Sequence, residues 1–394
     1  MQNNISISRG HVLREWLPLV ALAFSTFIFN TSEFIPIGLL SDIAADFAIT
    51  ESKAGVLITV YAWVVAIASL PLMLMVSGTE SKRLMLGIFG LFVISHVGSA
   101  LSTGYYMLML SRIGVACSHA IFWSIVTPLA VKIAPKGRGS IALSIIVAGS
   151  SIAMIAGLPL GRAIGLAAGW RMTFLLIGCV AFAVMLLIAA VLPRTQGEKA
   201  FSLKQLPGLL RTPSLPGIYL VTVLSVTAHF TGYSYIEPFL AQIAGFKAGS
   251  ITMILTLFGI TGIIGSLLFS RYFDSHRSFF MRYAVIGIGC CLLLLRPAAM
   301  THQTVVTLCI FWGLANCFFN MVFQSEIIRT VPEGTSIAMS IYSGIYNVGI
   351  GSGALIGGLV CSGISVSAIG YIGGLISIAA CLACLLYLQP RLKA

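Results

Sequence analysis

Residues 171–193 read RMTFLLIGCVAFAVMLLIAAVLP, a run whose single charge stands at its first position. The hydrocarbon core of a bilayer is about 30 Å thick, and about 20 residues of α-helix cross it. A surface helix of a soluble domain would carry polar residues along one face, and this run has no such face. It therefore predicts a membrane-spanning helix, and its length sets the window for reading the rest of the chain.

The whole chain of 394 residues has the same apolar character. Charged residues make up 9% of it, where a soluble domain has about 25%, and hydrophobic residues make up 58%. This composition excludes a soluble enzyme, a nucleic-acid-binding module and a disordered protein, and the long apolar runs exclude a transmembrane barrel. The net charge of +12 is interpreted as cytoplasmic loop charge, so the predicted surroundings are a lipid bilayer and no nucleic-acid partner is expected.

Hydropathy predicts an all-α polytopic membrane protein with twelve transmembrane helices. The expected spans are 17–40, 54–76, 84–102, 105–131, 140–164, 171–193, 215–240, 250–270, 281–300, 303–328, 335–360 and 364–388. With the N-terminus inside, 17 of the 23 Lys and Arg residues fall on the inner side, 5 fall on the outer side, and Arg112 lies within a span. This bias places both termini in the cytoplasm.

The only long polar connection divides the chain into two pseudo-symmetric six-helix bundles. We predict an N-terminal bundle over 1–193, a cytoplasmic linker over 194–214 and a C-terminal bundle over 215–394. Parallel halves of this kind are typical of secondary transporters. Motifs that recur at equivalent places are Glu80-x-x-Arg83 with Asp274-x-x-Arg277, and Phe122-Trp123 with Phe311-Trp312.

Several of these motifs resemble those of the major facilitator superfamily. The two acid-x-x-Arg loops look like degenerate copies of its G-x-x-x-D-R-x-G-R motif, and Ser111-Arg112-Ile-Gly114 resembles its fourth-span motif. The Gln and Gly that usually follow that arginine are replaced by Val115 and Ala116. Gly157-Leu-Pro159-Leu-Gly161-Arg162 and Trp170-Arg171 are similar to motifs of the drug:proton antiporter branch.

Longer matches resemble the bacterial sugar efflux transporters of this superfamily. The resemblance implies proton-coupled antiport of small sugars and galactosides, such as arabinose and thiogalactosides, across the inner membrane. We expect a monomer that uses the proton gradient and no cofactor, and the absence of a P-loop argues against ATP as the energy source. The matching segments are Phe29-Asn-Thr-Ser-Glu33-Phe-Ile-Pro36, Tyr61-Ala-Trp63, Arg112-Ile-Gly-Val-Ala, His119-Ala-Ile-Phe-Trp123-Ser and Tyr235-Ile-Glu237-Pro238-Phe.

Three ionisable residues inside the spans are the candidates for proton coupling: Glu33, Arg112 and His119. A charge at membrane depth is costly and is a functional candidate by default. Glu33 and Arg112 both lie about 10 Å inside the outer boundary, so they either form a pair or face separate polar pockets. His119 lies one heptad after Arg112 and either binds a sugar hydroxyl, relays the proton or packs structurally.

The candidate substrate-binding residues combine aromatic rings with groups that hydrogen-bond neutral hydroxyls. Asn316 and Asn320 share one face of span ten, and amides and phenols suit a sugar because they need no charge. Each aromatic residue has ordinary helix packing as its alternative, and His229 has structural hydrogen bonding. The full set is Asn30, Glu33, Tyr61, His119, Phe122, Trp123, His229, Tyr233, Asn316, Asn320, Tyr346 and Asn347.

Gating is predicted at the inner face, at Glu80, Arg83, Asp274 and Arg277, as the resemblance implies. Glu237 and Glu326, near span ends, are interpreted as facing water or a loop partner. The nine cysteines lack metal-ligand spacing, so no metal site is expected. No enzyme motif occurs within a span, and the alternative function is a multidrug or nucleoside proton antiporter of the same superfamily.

Overall fold

The computed structural model describes residues 9–76, 78–136, 138–195, 212–331 and 335–393, and all regular structure in these ranges is helical. Twelve helices in them are long and apolar enough to cross a membrane, which confirms the predicted fold class and the number of spans. Most of the predicted linker, residues 196–211, lies outside the described residues. The membrane helices are α1 (Glu15–Gly38), α2 (Glu51–Ser69), α3 (Ser81–Ala100), α4 (Tyr105–Thr127), α5 (Ala148–Ala168), α6 (Trp170–Val191), α7 (Leu215–Tyr233), α8 (Ala248–Phe269), α9 (Ser275–Ala298), α10 (His302–Thr330), α11 (Ile341–Gly363) and α12 (Val366–Leu392).

The connection between α8 and α9 differs from the expected loop between separate spans. One helix runs from Ala248 to Ala298, and only His276 within it departs from helical geometry, with φ −130° and ψ 34°. The connecting sequence RYFDSHRSFFMR (271–282) contains neither Gly nor Pro, so nothing in it terminates a helix. The charged residues of this sequence place it between two predicted spans, and the chain changes direction there at one residue, His276.

Helix α5 changes its winding before Pro159. Residues Ala153–Gly157 form a π-helical turn, and α-helix resumes at Leu158. Proline has no N–H and its ring crowds the carbonyl four residues earlier, and a π-turn relieves this conflict without ending the helix. The helix therefore accommodates Pro159 by a local change of winding.

Glycine lets one helix pair in each half approach closely. A Cβ atom at Gly149 of α5 would lie 2.4 Å from the Ala23 carbonyl oxygen of α1, and one at Gly353 of α11 would lie 2.5 Å from the Thr227 carbonyl oxygen of α7. By the duplication, α11 of the C-terminal half corresponds to α5 of the N-terminal half, and α7 corresponds to α1. Gly149 and Gly353 therefore allow the same tight packing in both halves, as a duplication predicts.

The two halves meet along α2 and α11 and at the ends of α1 and α7. A Cβ atom at Gly351 of α11 would lie 2.3 Å from the Trp63 ring of α2. The rings of Phe34 on α1 and Phe230 on α7 stack with centroids 6.4 Å apart. These contacts bring the polar faces of both halves to the centre of the molecule, where the candidate residues lie.

Candidate functional site

Arg112 lies on α4 and is 1% exposed. Its guanidinium carbon is 4.5 Å from the centre of the Tyr61 ring, which places the charge over an electron-rich aromatic face. Its Nη1 atom donates a hydrogen bond of 3.3 Å to the Ser32 hydroxyl on α1. The charge that the sequence places within a span is thus held by an aromatic ring and a hydroxyl.

A buried histidine on α3 sets the direction of the hydrogen bonds at Arg112. His96 Nδ1 lies 2.9 Å from the Phe92 carbonyl oxygen, and His96 Nε2 lies 2.8 Å from Ser32 Oγ. A carbonyl oxygen only accepts, so Nδ1 carries the hydrogen and Nε2 of the neutral ring accepts. The Ser32 hydroxyl then donates to His96 and leaves its lone pairs for Arg112.

Glu33 and His119 form the second part of the cluster. Glu33 Oε2 lies 3.6 Å from His119 Nε2, and His119 Nδ1 lies 2.8 Å from the Tyr61 hydroxyl oxygen. Tyr61 therefore contacts His119 through its hydroxyl and Arg112 through its ring. The sequence left open a Glu33–Arg112 pair or two separate polar pockets. In the structure the basic group facing Glu33 is His119, while Arg112 bonds to the adjacent Ser32 within the same cluster. Successive helix residues point about 100° apart, so one arginine cannot engage both in the same way.

The aromatic candidates of the N-terminal half divide into two environments. Phe122 is fully buried, and its ring stacks on Phe29 with centroids 4.0 Å apart. Trp123 is half-buried, and its ring centroid lies 6.0 Å from that of His119. Asn30 is also half-buried. Trp123 and Asn30 thus keep exposed surface beside the cluster, whereas Phe122 packs inside its own half.

The C-terminal half contributes uncharged polar groups from α10 and α11. Asn320 Nδ2 donates to the Tyr346 hydroxyl at 3.2 Å and to the Asn316 carbonyl oxygen at 3.1 Å. Asn347 is buried, and its Nδ2 donates to the Ser343 carbonyl oxygen at 3.0 Å, while its Oδ1 has no hydrogen-bond partner among the described residues. The predicted residues Asn320 and Tyr346 are therefore brought together across the two helices, whereas the bond of Asn347 is to its own helix.

His229 and Tyr233 lie in an aromatic cluster instead. Trp312 Nε1 donates to His229 Nδ1 at 3.0 Å, and the His229 and Tyr233 rings stack with centroids 5.0 Å apart. Because the indole N–H only donates, His229 Nδ1 accepts and the ring's other nitrogen bears the hydrogen of the neutral form. The structural alternative for His229, a satisfied hydrogen bond, describes this geometry.

The predicted gating residues of the inner face have different partners. Glu80 Oε1 lies 4.0 Å from Arg194 Nε, and Arg83 is exposed. The Arg277 guanidinium bonds to the fully buried Glu326 carboxylate of α10, so it ties the turn between α8 and α9 to its own half. The side chain of Asp274 lies outside the described residues.

Glu237, which was expected to face water or a loop partner, forms a charged pair between the halves. Glu237 follows α7, is 3% exposed, and its Oε1 is 3.2 Å from Arg162 Nη2 of α5. Burial raises the pKa of the Glu237 carboxyl, while the Arg162 charge and two hydrogen bonds from Ser41 oppose the rise. Arg162 in the Gly-x-Pro-x-Gly-Arg motif was the available signal, since a charge just inside a span requires a partner.

No group of three or more His, Cys, Asp or Glu side chains that could hold a metal ion occurs within the described residues.

His96 and Ser32 were not identified from the sequence as part of the site, because hydropathy treats a histidine in an apolar run as ordinary span sequence. Their role emerges only when α1, α3 and α4 are packed together.

Twelve membrane helices in two similar halves, with buried charges and amides between them, define a polytopic membrane transporter. The model of the Major Facilitator Superfamily matches residues 22–336 and, in a second match, residues 218–394. The chain belongs to this superfamily, whose members are generally not enzymes.

A solved structure with the same fold is that of a mutant of the peptide transporter POT in complex with sulfate. The two chains superpose with a TM-score of 0.75 over 95% of this chain and 96% of that one. Their sequences are 11% identical, so the match shows a shared fold.

Proposed function

We propose that the protein exports small neutral sugars and galactosides, such as arabinose and thiogalactosides, in exchange for protons. The motifs that resemble the bacterial sugar efflux transporter SotB support this proposal at the level of substrate. In this proposal the chain works as a monomer in the bacterial inner membrane, with both termini in the cytoplasm. The proton gradient is its energy source, with no cofactor and no ATP.

The observation that carries the proposal is a division of labour between the halves. The titratable groups Glu33 and His119 belong to the N-terminal half, with Arg112 beside them. The facing helices of the C-terminal half present Asn320 and Tyr346, which are amide and phenol. A neutral polyhydroxyl substrate needs donors and acceptors on one side and a proton-dependent group on the other.

In this proposal a proton moves along the N-terminal cluster, from Tyr61 through His119 to Glu33. With Glu33 ionised, His119 Nε2–H points to the carboxylate and Nδ1 accepts from the Tyr61 hydroxyl. A proton arriving at the Tyr61 oxygen lets the hydroxyl hydrogen pass to Nδ1 and the Nε2 hydrogen pass to Glu33. The closing step requires the 3.6 Å between Glu33 Oε2 and His119 Nε2 to shorten to hydrogen-bond length.

Proton loading would change what the site offers a sugar. After the transfer His119 Nδ1–H donates to Tyr61, so the Tyr61 O–H becomes free, and the carboxylate no longer accepts. Substrate hydroxyls that bind the ionised form then lose a strong acceptor. Proton and sugar thereby compete for one cluster, which is the requirement for exchange.

The runner-up is a multidrug or nucleoside proton antiporter with the same coupling cluster. The half-buried Trp123 beside His119 is the observation that favours it, because an accessible indole also suits flat aromatic substrates. The amide and phenol groups of α10 and α11 favour the sugar. The substrate decides between the two functions, and the proton path is common to both.

Replacing Glu33 with Gln tests the coupling role. We expect Glu33→Gln to lose accumulation driven by a pH gradient, because an amide cannot take up the proton, and to retain exchange of substrate. Sugar uptake and counterflow in proteoliposomes, with and without a pH gradient, measure both quantities. Normal gradient-driven transport by Glu33→Gln would remove this residue from the proton path.

The substrate class needs its own experiment. Counterflow of labelled arabinose and of a labelled thiogalactoside in wild-type proteoliposomes should be saturable and should compete with the unlabelled sugar. Absence of any sugar-dependent flux, together with proton-coupled flux of an aromatic drug or a nucleoside, would establish the runner-up.

A further inference from the structure

The polar contacts between the halves at the end that holds residues 39–51 form a gate. Glu237 of the C-terminal half accepts from Arg162 at 3.2 Å and contacts the Ser41 hydroxyl at 2.7 Å, and both partners belong to the N-terminal half. Gln242 Nε2, also of the C-terminal half, donates to Glu51 Oε1 of α2 at 2.7 Å. These contacts tie the end of α7 to α1, α2 and α5.

The charged pair of the gate is buried. Arg162 is 2% exposed and Glu237 is 3% exposed, and Arg162 also donates to the Gly38 carbonyl oxygen. Separating the halves at this end would hydrate both charges, and closing them removes both from water. By the predicted orientation this is the outer face, so the structure has its outer side closed.

One hydroxyl lies between two carboxylates in this gate. Ser41 Oγ is 2.7 Å from Glu237 Oε2 and 2.8 Å from Glu51 Oε1. A serine hydroxyl has one hydrogen to donate, so it satisfies one of two ionised carboxylates and directs a lone pair at the other. A single added proton on either carboxyl completes the chain Glu237–Ser41–Glu51, because that carboxyl then donates to Ser41 Oγ.

We propose that closure of the predicted outer gate takes up one proton, shared along the chain Glu237–Ser41–Glu51, and that opening releases it. Burial raises the pKa of Glu237, which is the direction that proton uptake on closure requires. A group with a higher pKa in the closed state binds its proton more tightly there, so a lower pH favours closure and a higher pH favours opening. The gate is thus a second proton-linked element, separate from the Glu33 cluster, and it does not depend on which molecule is transported.

The other charged groups on elements around the gate are engaged elsewhere or stand apart from the serine. The Glu33 carboxylate on α1 faces His119, and Asp46 is paired with the exposed Arg171 at 2.6 Å. The buried Tyr235 hydroxyl stays neutral, because burial raises the pKa of this phenol far above its ordinary value. Other ionisable side chains near this end are Asp42, Lys53, Tyr105, Tyr106, Lys247 and His302. The Tyr105 hydroxyl donates to the Lys53 carbonyl oxygen, and His302 Nε2 lies 3.1 Å from the Ala244 carbonyl oxygen.

Hydrogen–deuterium exchange in lipid nanodiscs measures the gate without any sugar present. The readout is the protection of segments 39–50 and 234–247, corrected for intrinsic exchange, between about pH 5.5 and about pH 8.5. All variants are made in a background with Glu33→Gln and His302→Gln. These changes remove the proposed coupling carboxylate and the histidine that contacts the Ala244 carbonyl oxygen inside the monitored segment. For one proton, protection should fall by up to about tenfold per pH unit as the pH rises.

Glu51→Gln and Glu237→Gln should each abolish this slope. In Glu51→Gln the amide donates to Ser41 at every pH, so the gate no longer needs a proton to close and protection should stay high at high pH. Glu237→Gln also removes the charge that pairs with the buried Arg162, so its protection should be low and independent of pH. Asp46→Asn is the matched control, because it neutralises an outer-face carboxylate whose partner Arg171 belongs to the same half, and it should keep the slope.

Three outcomes would overturn the proposal. They are a background protein whose protection does not depend on pH, a slope of opposite sign, and an unchanged slope in both glutamine variants. If Glu237→Gln fails to fold, Glu51→Gln decides alone, because its half-buried side chain tolerates the change. Failure of sugar transport with an intact slope would refute the proposed function and leave the gate standing.

Discussion

Tyr61 makes two different interactions with the two parts of one side chain. Its hydroxyl is bonded to His119 at 2.8 Å, and its ring supports the Arg112 charge at 4.5 Å. The ring contact needs no hydroxyl, and the proton path does. A substitution that removes only the oxygen therefore separates transfer of the proton from placement of the arginine.

Tyr61→Phe should slow gradient-driven transport and leave sugar exchange close to wild type. Loss of one buried hydrogen bond alone corresponds to about 1–1.5 kcal/mol, which is about tenfold in rate. Because the proposed path also loses the oxygen that carries the proton, we expect at least this reduction in the proton-driven rate. Flux with and without a pH gradient in proteoliposomes gives the comparison. Tyr219→Phe is the control, since that hydroxyl bonds to the Ala338 carbonyl oxygen outside the cluster. Equal losses of driven flux and exchange would assign Tyr61 to substrate binding alone.

At this scale the sequence identifies charges but not their partners. The depth argument placed Glu33 and Arg112 at one level, and both belong to the cluster. Which basic group faces Glu33 depends on helix rotation, and hydropathy carries no information about rotation. His96 shows the same limit, because only its position between a carbonyl and Ser32 gives it a role.

The helices themselves follow closely from composition. All twelve spans are present because each apolar run must satisfy its backbone hydrogen bonds internally in lipid. The structure differs from the predicted spans where backbone geometry, and not hydropathy, sets the course of the chain. Helix α8 continues into α9 because no helix breaker lies between them, and α5 contains a π-helical turn before Pro159. The roles of Gly149 and Gly353 likewise become clear only once the helices that pack against them are known.

Gly353→Ala tests the tight α7–α11 pair within the C-terminal half. The new methyl would lie 2.5 Å from the Thr227 carbonyl oxygen, so backbone must move apart, and overpacking of this kind costs about 1–3 kcal/mol. We expect a lower thermal midpoint in detergent, read by the loss of monodisperse protein on heating. Gly344→Ala on the same helix is the control, because a Cβ there meets no atom within 4 Å. Identical midpoints for the two variants would mean that the pair can relax at no cost.

The whole molecule is organised by two kinds of close contact. Contacts such as Gly353 on Thr227 lie within a half and remain in every conformation if the halves move as units. Contacts such as Gly351 on Trp63 lie between the halves and belong to the arrangement in which the halves are closed at the end that holds residues 39–51. The two-bundle architecture is predictable from the duplicated motifs. The conformation is not, because it depends on contacts such as Glu237 with Arg162 that span separate runs of sequence.

Gly351→Ala should therefore shift the balance between conformations without weakening either half. A methyl at this position would lie 2.3 Å from Trp63 Cδ1 and 3.0 Å from the Thr59 carbonyl oxygen, so it acts as a wedge between α2 and α11. Because rigid halves relieve the clash by rocking apart at this interface, we expect protection of segments 39–50 and 234–247 against exchange to fall severalfold. The thermal midpoint should change less than in Gly353→Ala, and Gly344→Ala should change neither quantity. The prediction would be wrong if Gly351→Ala lost as much stability as Gly353→Ala while protection at the gate stayed unchanged. That result would mean that the α2–α11 contact does not separate when the halves move.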